Sequence, residues 1–229
     1  MLDDLKQQVL AANLALPAHG LVALTWGNVS GIDRDRSLVV IKGSGVPYSS
    51  MSVEDMVVVD MDGRVVEGAR PSTDTPTHLA LYRAYAEIGG VVHTHSTWAA
   101  AWAQAERPIP ILGTTHADLS PHDVPLARPL TDEEVAGEYE ARTGDVVVEA
   151  IGERSAAEVP AVLVRSHGPF AWGTTPSAAV EAAVTLEEVA HMALLTELLS
   201  PNAPALGDAV REKHFSRKHG PNAYYGQGT

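Results

Sequence analysis

Apolar positions recur at three- and four-residue intervals at Leu2, Leu5, Val9, Ala12 and Leu16, the stripe of an amphipathic helix that ends near Pro17. The period then changes. Leu38 to Ile41 and Met56 to Asp60 are compact β-branched runs, and Met61-Asp62-Gly63 forms a turn that leads into Arg64 to Val66 as a hairpin. Thr75 followed by Pro76 reads as an N-cap and first-turn proline for a helix running to about Tyr85. Gly89-Gly90 separates that helix from the strand signal Val91-Val92, and Ala161 to Val164 reads as another buried strand. Thr131 with Glu134 has capping-box spacing, and Thr175 with Pro176 opens a long later helix. Helices and strands mix without a strict βαβ rhythm. The expected architecture is an α/β sandwich around a mixed, largely antiparallel sheet.

The long apolar tract over residues 178–199 is interrupted by Glu181, Glu187, Glu188, His191 and Glu197, charges that are costly in lipid, so it reads as a buried helix of a soluble protein. The chain has 229 residues, 45% of them hydrophobic, which suits one domain over residues 1–229. A net charge of -13 disfavours nucleic acid and anionic membranes as partners. The acidic, amphipathic start is unlike a secretory signal, and a cytoplasmic location is expected. With no cysteine, any metal must be held by imidazole nitrogen and carboxylate oxygen.

That restriction directs attention to His93-Thr94-His95, directly after the Gly-Gly-Val-Val strand signal. Residues two apart on a strand share a face, so both imidazoles can reach one ion. His167, just beyond the Val162 to Val164 strand, and Asp74, just ahead of a helix, complete a shell of three imidazoles and one carboxylate. Such a zinc site acts as a Lewis acid, and manganese or cobalt can occupy the same donors. The rival pattern Glu188-x-x-His191 lacks the second copy and partner glutamates of a di-iron bundle. His19, His78 and His122 read as structural. Lys42-Gly43-Ser44-Gly45, with the Ser72 and Thr73 hydroxyls near the positive end of a helix dipole, suits a phosphate dianion.

Longer stretches carry a family resemblance. Leu-Ala-Leu-Pro at 14–17, Leu-Thr-Trp-Gly-Asn-Val-Ser at 24–30, Ile-Lys-Gly-Ser-Gly-Val at 41–46 and Asp-Thr-Pro-Thr-His at 74–78 resemble the class II aldolase/adducin family. Val-His-Thr-His-Ser at 92–96, Gly-Thr-Thr-His-Ala-Asp at 113–118, Ser-His-Gly-Pro-Phe-Ala-Trp-Gly at 166–173, Arg-Lys-His-Gly at 217–220 and Ala-Tyr-Tyr-Gly-Gln at 223–227 extend it almost end to end. The resemblance implies a three-layer α/β/α fold and a homotetramer with active sites at subunit boundaries. It implies zinc ligation by Asp74, His93, His95 and His167. It implies substrate binding by Gly27, Asn28, Ser44, Gly45, Ser72 and Thr73, with Lys42 as a charge partner.

Within the family the pattern is similar to sugar-phosphate epimerases. The implied reaction interconverts L-ribulose 5-phosphate and D-xylulose 5-phosphate by retro-aldol cleavage of C3–C4, with Asp118 and Tyr225 as proton-transfer groups. Tyr225, in the C-terminal tail, would come from a neighbouring subunit. His116 and Thr114 would shape the Asp118 pocket, and Arg217 and His214 would help to close it. The nearest alternative is a sugar-phosphate aldolase of the fuculose-phosphate type, which usually carries glutamate where this chain has Asp74. A non-catalytic module like the adducin head is the other. The chain departs from well-known epimerases over residues 119–129 and in having Thr73 where a second serine is common.

Overall fold

A computed structural model describes residues 2–221 and 223–225. Gly226 and Gln227, which close the Ala-Tyr-Tyr-Gly-Gln motif, lie outside the described residues. The N-terminal half comprises α1 (Asp3–Ala18), β1 (Asn28–Asp33), β2 (Leu38–Lys42), β3 (Met56–Asp60), β4 (Val65–Glu67), α2 (Thr75–Ala84) and β5 (Gly90–His93). There follow α3 (Thr97–Gln104), α4 (Thr114–Leu119), α5 (Asp132–Ala136) and α6 (Tyr139–Ile151). The chain continues through β6 (Ala161–Val164), β7 (Gly168–Gly173), α7 (Pro176–Leu199) and α8 (Asp208–His219).

The strands form one seven-stranded sheet in the order β4-β3-β2-β1-β5-β7-β6, and every ladder is antiparallel. The expectation of a largely antiparallel sheet holds. Its parallel contribution is the isolated bridge Leu126↔Leu163. Alternation along the strands decides the layers. Val39, Val57, Val59, Val91, Val162, Phe170 and Trp172 pack with α2 and α6 on one face. Val29, Val92, Ala161, Leu163 and Ala171 pack with α1, α3 and α7 on the other. Both sheet faces are therefore buried, which explains why β2, β3 and β6 read as continuous apolar runs rather than alternating ones.

Several element ends differ from expectation for local reasons. α1 runs one residue past Pro17, which sits in the last turn. Asp74, not Thr75, occupies the N-cap position of α2, with Thr75 and Pro76 in the first turn. The strand after the hairpin turn starts at Val65, because Asp60 Oδ1 accepts from the backbone N–H of both Asp62 and Arg64 and lengthens the turn. The capping box at Thr131 and Glu134 and the cap at Thr175 are both present. Within residues 119–129, Pro125 to Ala127 lie along the sheet edge at β6. Ile109 and Val124 exchange two backbone hydrogen bonds, Leu163 N donates to Pro125 O at 2.9 Å, and Ala127 N donates to Leu163 O at 2.8 Å. No helix of the described residues is long and apolar enough to cross a membrane.

The crossing of α2 on α6 relies on Gly144. A Cβ there would lie 2.5 Å from Ala80 Cβ and 3.3 Å from Thr77 Cα. Gly144→Val is therefore expected to force the two helices apart, lowering stability by about 1–3 kcal/mol. Urea unfolding of the purified variant checks this, and an unchanged midpoint would contradict the crossing.

Candidate active site

The register places Asn28, His93 and Phe170 side by side on β1, β5 and β7. β5 stops at His93, so His95 stands in the link to α3 rather than on the strand itself. His167 is in the turn between β6 and β7, preceded by Ser166 with φ of 57°. From these three places the imidazoles converge. His95 Nε2 lies 3.1 Å from both His93 Nε2 and His167 Nε2, and one ligand atom from each ring falls within 4.8 Å of the others.

The donor set fits a divalent metal. His93 Nδ1–H donates to Pro169 O at 3.0 Å, which leaves a bare lone pair on Nε2. His95 Nε2 carries one proton at most, so at most one of its two 3.1 Å contacts can be a hydrogen bond between neutral rings. Three nitrogens about 2 Å from a tetrahedral zinc ion would lie about 3.3 Å from one another, close to the spacing seen. Three imidazoles leave a fourth position for a carboxylate or a substrate oxygen.

Asp74 lines the same cleft but stands outside the cluster of rings. Its Oδ2 accepts from Asn28 Nδ2 at 2.7 Å. Asn28 Nδ2 also lies 3.0 Å from Ser72 Oγ, so the amide is oriented and its Oδ1 is left buried without a partner. Burial pushes the Asp74 carboxyl up, but the neighbouring His93 and His78 rings and the Asn28 amide outweigh it and hold it below its usual value. Burial also drives the rings toward neutrality. His93 is pushed down to about 3, and His167 is lowered by burial and by His95.

The cleft, about 330 Å³, holds the predicted substrate-binding residues Gly27, Asn28, Lys42, Ser44, Gly45, Ser72 and Thr73 together with Asp74 and the three histidines. Gly27 needs to be glycine. Its φ is 76°, and a Cβ would lie 2.6 Å from Val22 Cγ1 and 3.0 Å from His93 O. Tyr48 Oη pins this loop by donating to Trp26 O and Gly27 O at 2.8 and 2.9 Å. Lys42 is buried, with Nζ donating to Thr25 O at 3.1 Å. Burial pulls its ammonium below the usual value, and Asp55 and Asp74 oppose that.

Four lining residues, Thr25, Trp26, Tyr139 and Glu140, were not singled out from sequence. Trp26 belongs to a quoted motif and lies 6.1 Å from the His95 ring. Tyr139 and Glu140 open α6 and carry no local signal.

Asp118 and Tyr225 do not line this cleft. They meet each other through Arg217. Its guanidinium donates to Asp118 Oδ2 at 2.9 Å, and it lies 4.3 Å from the Tyr225 ring centre. His214 Nδ1 contacts Asp118 Oδ1 at 3.0 Å, and His219 Nε2–H donates to Asp118 O at 2.8 Å. Burial raises the Asp118 carboxyl, but Arg217 and His214 overcome that and keep it below the usual range. His116 is buried, with Nε2–H donating to His122 O at 3.1 Å, and Thr114 opens α4, the helix that carries Asp118.

A three-layer sandwich with a three-imidazole centre at one end of its antiparallel sheet defines the class, and the chain belongs to the class II aldolase and adducin family. The match to the Class II Aldolase and Adducin N-terminal domain covers residues 7–194. L-ribulose-5-phosphate 4-epimerase UlaF of Salmonella paratyphi A (strain ATCC 9150 / SARB42) is 59% identical over 227 residues, covering 99% of this chain and 100% of the relative. The protein of the same name from Salmonella typhi has the same identity and coverage. Among solved structures, an L-fuculose 1-phosphate aldolase superposes with a TM-score of 0.79 at 27% identity, covering 93% of this chain and 95% of its own. YgbL from Klebsiella pneumoniae shares the fold, with a TM-score of 0.72, 21% identity and coverage of 92% and 97%.

The buried neutral histidines set a pH dependence. Burial pushes His93 down to about 3 and His78 and His116 each to about 4, against an ordinary value of 6.5. Between about pH 6.5 and 4 the unfolded chain therefore binds more protons than the folded one. Metal-free protein is expected to lose up to about 1.4 kcal/mol of stability per pH unit for each imidazole as pH falls through that window. Thermal melts of chelator-treated protein from neutral pH to about pH 5 check this. A midpoint that stays flat or rises on acidification would contradict neutral burial.

Proposed function

We propose that this chain interconverts L-ribulose 5-phosphate and D-xylulose 5-phosphate by cutting and remaking the C3–C4 bond. The observation that carries the reading is the 59% identity, along the full length, to relatives named L-ribulose-5-phosphate 4-epimerase. The cleft supplies the matching chemistry.

C4 of the substrate bears a hydroxyl, and its hydrogen is not acidic, so the centre cannot be inverted by removing that proton. Taking the C4 hydroxyl proton instead sends the C3–C4 bonding pair toward the C2 carbonyl. The products are the enediolate of dihydroxyacetone and glycolaldehyde phosphate. Rotation of the aldehyde and re-addition to its other face, with the proton returned to oxygen, gives the epimer. Asp74, His93, His95 and His167 would hold zinc, with manganese or cobalt as substitutes. When bound, the ion supplies positive charge against the oxygens that become anionic.

The remaining roles belong to side chains. Ser44, Gly45, Ser72 and Thr73 bind the phosphate, with Lys42 as its charge partner. Ser72 and Thr73 stand just before the positive end of the α2 dipole. Asn28 Oδ1, buried and unpartnered, is the acceptor left for a substrate hydroxyl. Asp118 and Tyr225 move the proton on opposite faces of the aldehyde. In this reading Tyr225 comes from a neighbouring subunit of a homotetramer acting in the cytoplasm; neither it nor Asp118 lines the cleft of its own chain.

The fuculose-phosphate aldolase likeness, at a TM-score of 0.79, supports aldol cleavage with product release as the second reading. A coupled assay on L-ribulose 5-phosphate with metal-stripped and zinc-restored protein separates the two. D-xylulose 5-phosphate should form only after restoration, without free glycolaldehyde phosphate. Release of that aldehyde as the main product would replace epimerase by aldolase. Asp118→Asn should retain zinc while kcat falls by about 10²- to 10⁴-fold. An unchanged kcat would remove Asp118 from the mechanism.

A further inference from the structure

Behind the cleft, β1 and α2 bury a polar chain that the reaction above does not use. Tyr82 Oη lies 2.8 Å from Ser30 Oγ, which lies 2.7 Å from His78 Nδ1. Ser30 and His78 have no exposed surface. His78 Nε2 is buried with no hydrogen-bond partner. An apolar side chain at this helix position would fill the space without leaving a polar nitrogen unpaired, so packing alone does not explain an imidazole here.

Its position does. His78 stands one turn after Asp74, and its backbone N–H donates to Asp74 O at 3.2 Å. Its ring meets the edge of Phe170 at 5.9 Å and 75°, and Phe170 stacks on His93 at 4.2 Å and 17°. The Ser30–His78 contact thus ties α2, whose N-cap is Asp74, to β1, and the same ring backs His93 at the end of β5 through Phe170. Turning the imidazole would break its short contact with Ser30, so the buried chain also fixes the ring's orientation.

We propose that His78 is a positioning residue of the metal centre: locked by Ser30 and Tyr82, it holds the start of α2 and the Phe170–His93 stack in register for one cation. This rests on the metal-binding reading of the cleft. His78 touches no substrate in this role, and its removal acts through Asp74 and His93.

The test uses the purified full chain, His78→Phe, His78→Asn and Ser30→Ala. Zn²⁺ affinity is measured by chelator competition, Co²⁺ coordination by its visible absorption, and folding by melting of the metal-free forms. His78→Phe should fold yet bind Zn²⁺ about 10- to 100-fold more weakly, with a shifted Co²⁺ band. Ser30→Ala should move both readouts the same way by less, and His78→Asn, whose amide can still meet Ser30, should recover part of the affinity. Unchanged Zn²⁺ affinity and Co²⁺ absorption in His78→Phe would overturn the inference, whatever happens to its melting temperature. Should that variant not fold, unchanged values in Ser30→Ala overturn it instead. An unmodified chain that binds neither ion would remove the metal centre itself, a different result from variants that bind as well as it does.

Discussion

Three imidazole nitrogens crowded at about hydrogen-bond distance, with too few protons to pair them, are the constraint on which the rest of the site depends. His93 Nε2 has no proton to offer, because its Nδ1–H is committed to Pro169 O. Without a cation, at most one of the two 3.1 Å contacts at His95 Nε2 is a hydrogen bond between neutral rings. The fold must hold the rings together without that pairing, and each ring is anchored from outside the cluster. His93 has the strand register and the Phe170 face. His167 follows a residue in left-handed conformation. His95 precedes α3, whose first turn is held by Glu187 of α7, which accepts from Trp98 N and Ala99 N at 2.8 and 3.0 Å. Such a site is built at a cost to the empty protein, so occupancy and stability are thermodynamically linked.

The features legible in the sequence were those whose signal is local. A capping Thr with Glu three residues on, a Pro in the first turn, and two histidines two apart after a valine run each declare themselves within a few residues. β7 did not. Gly168-Pro169-Phe170-Ala171-Trp172-Gly173 has glycine at both ends and a proline inside, and it is a strand because β5 and β6 flank it in the sheet. The same holds for α6, where Gly144 reads as a helix breaker until α2 is seen packed against it. In the cleft, the histidine spacing was visible, but Tyr139 and Glu140 enter through the placement of α6. The orientation of Asn28, set by Asp74 and Ser72, is a tertiary fact with no sequence signature.

Asp118 and Tyr225 illustrate a different limit. They are remote in sequence, and α8 joins them through Arg217 into a unit separate from the imidazole cluster. Arg217 and His214 keep the carboxylate ionised, as a proton acceptor requires, although burial opposes it. The described residues thus form two separate groups, the imidazole cleft and the Asp118 cluster, which the proposed reaction assigns to the cation and phosphate and to proton transfer. In the proposed homotetramer, the complete centre would be a property of the assembly.

Charge sharpens the division. A net charge of -13 gives the surface a field that opposes an anionic substrate, and the solvent screens that field within about 8 Å at physiological salt. Capture must therefore be local. Among the described residues that line the cleft, Lys42 is the one lysine or arginine, and its own burial weakens its hold on a proton. Asp74 and Glu140 in the same lining offset that single positive charge. Without a bound cation the cleft's formal charges give no net attraction for a phosphate dianion, leaving the α2 dipole and the hydroxyls of Ser44, Ser72 and Thr73. A divalent ion reverses that balance. The imidazole cluster is then as much a condition for binding the anionic sugar as for stabilising the charge that develops when its carbon chain is cut.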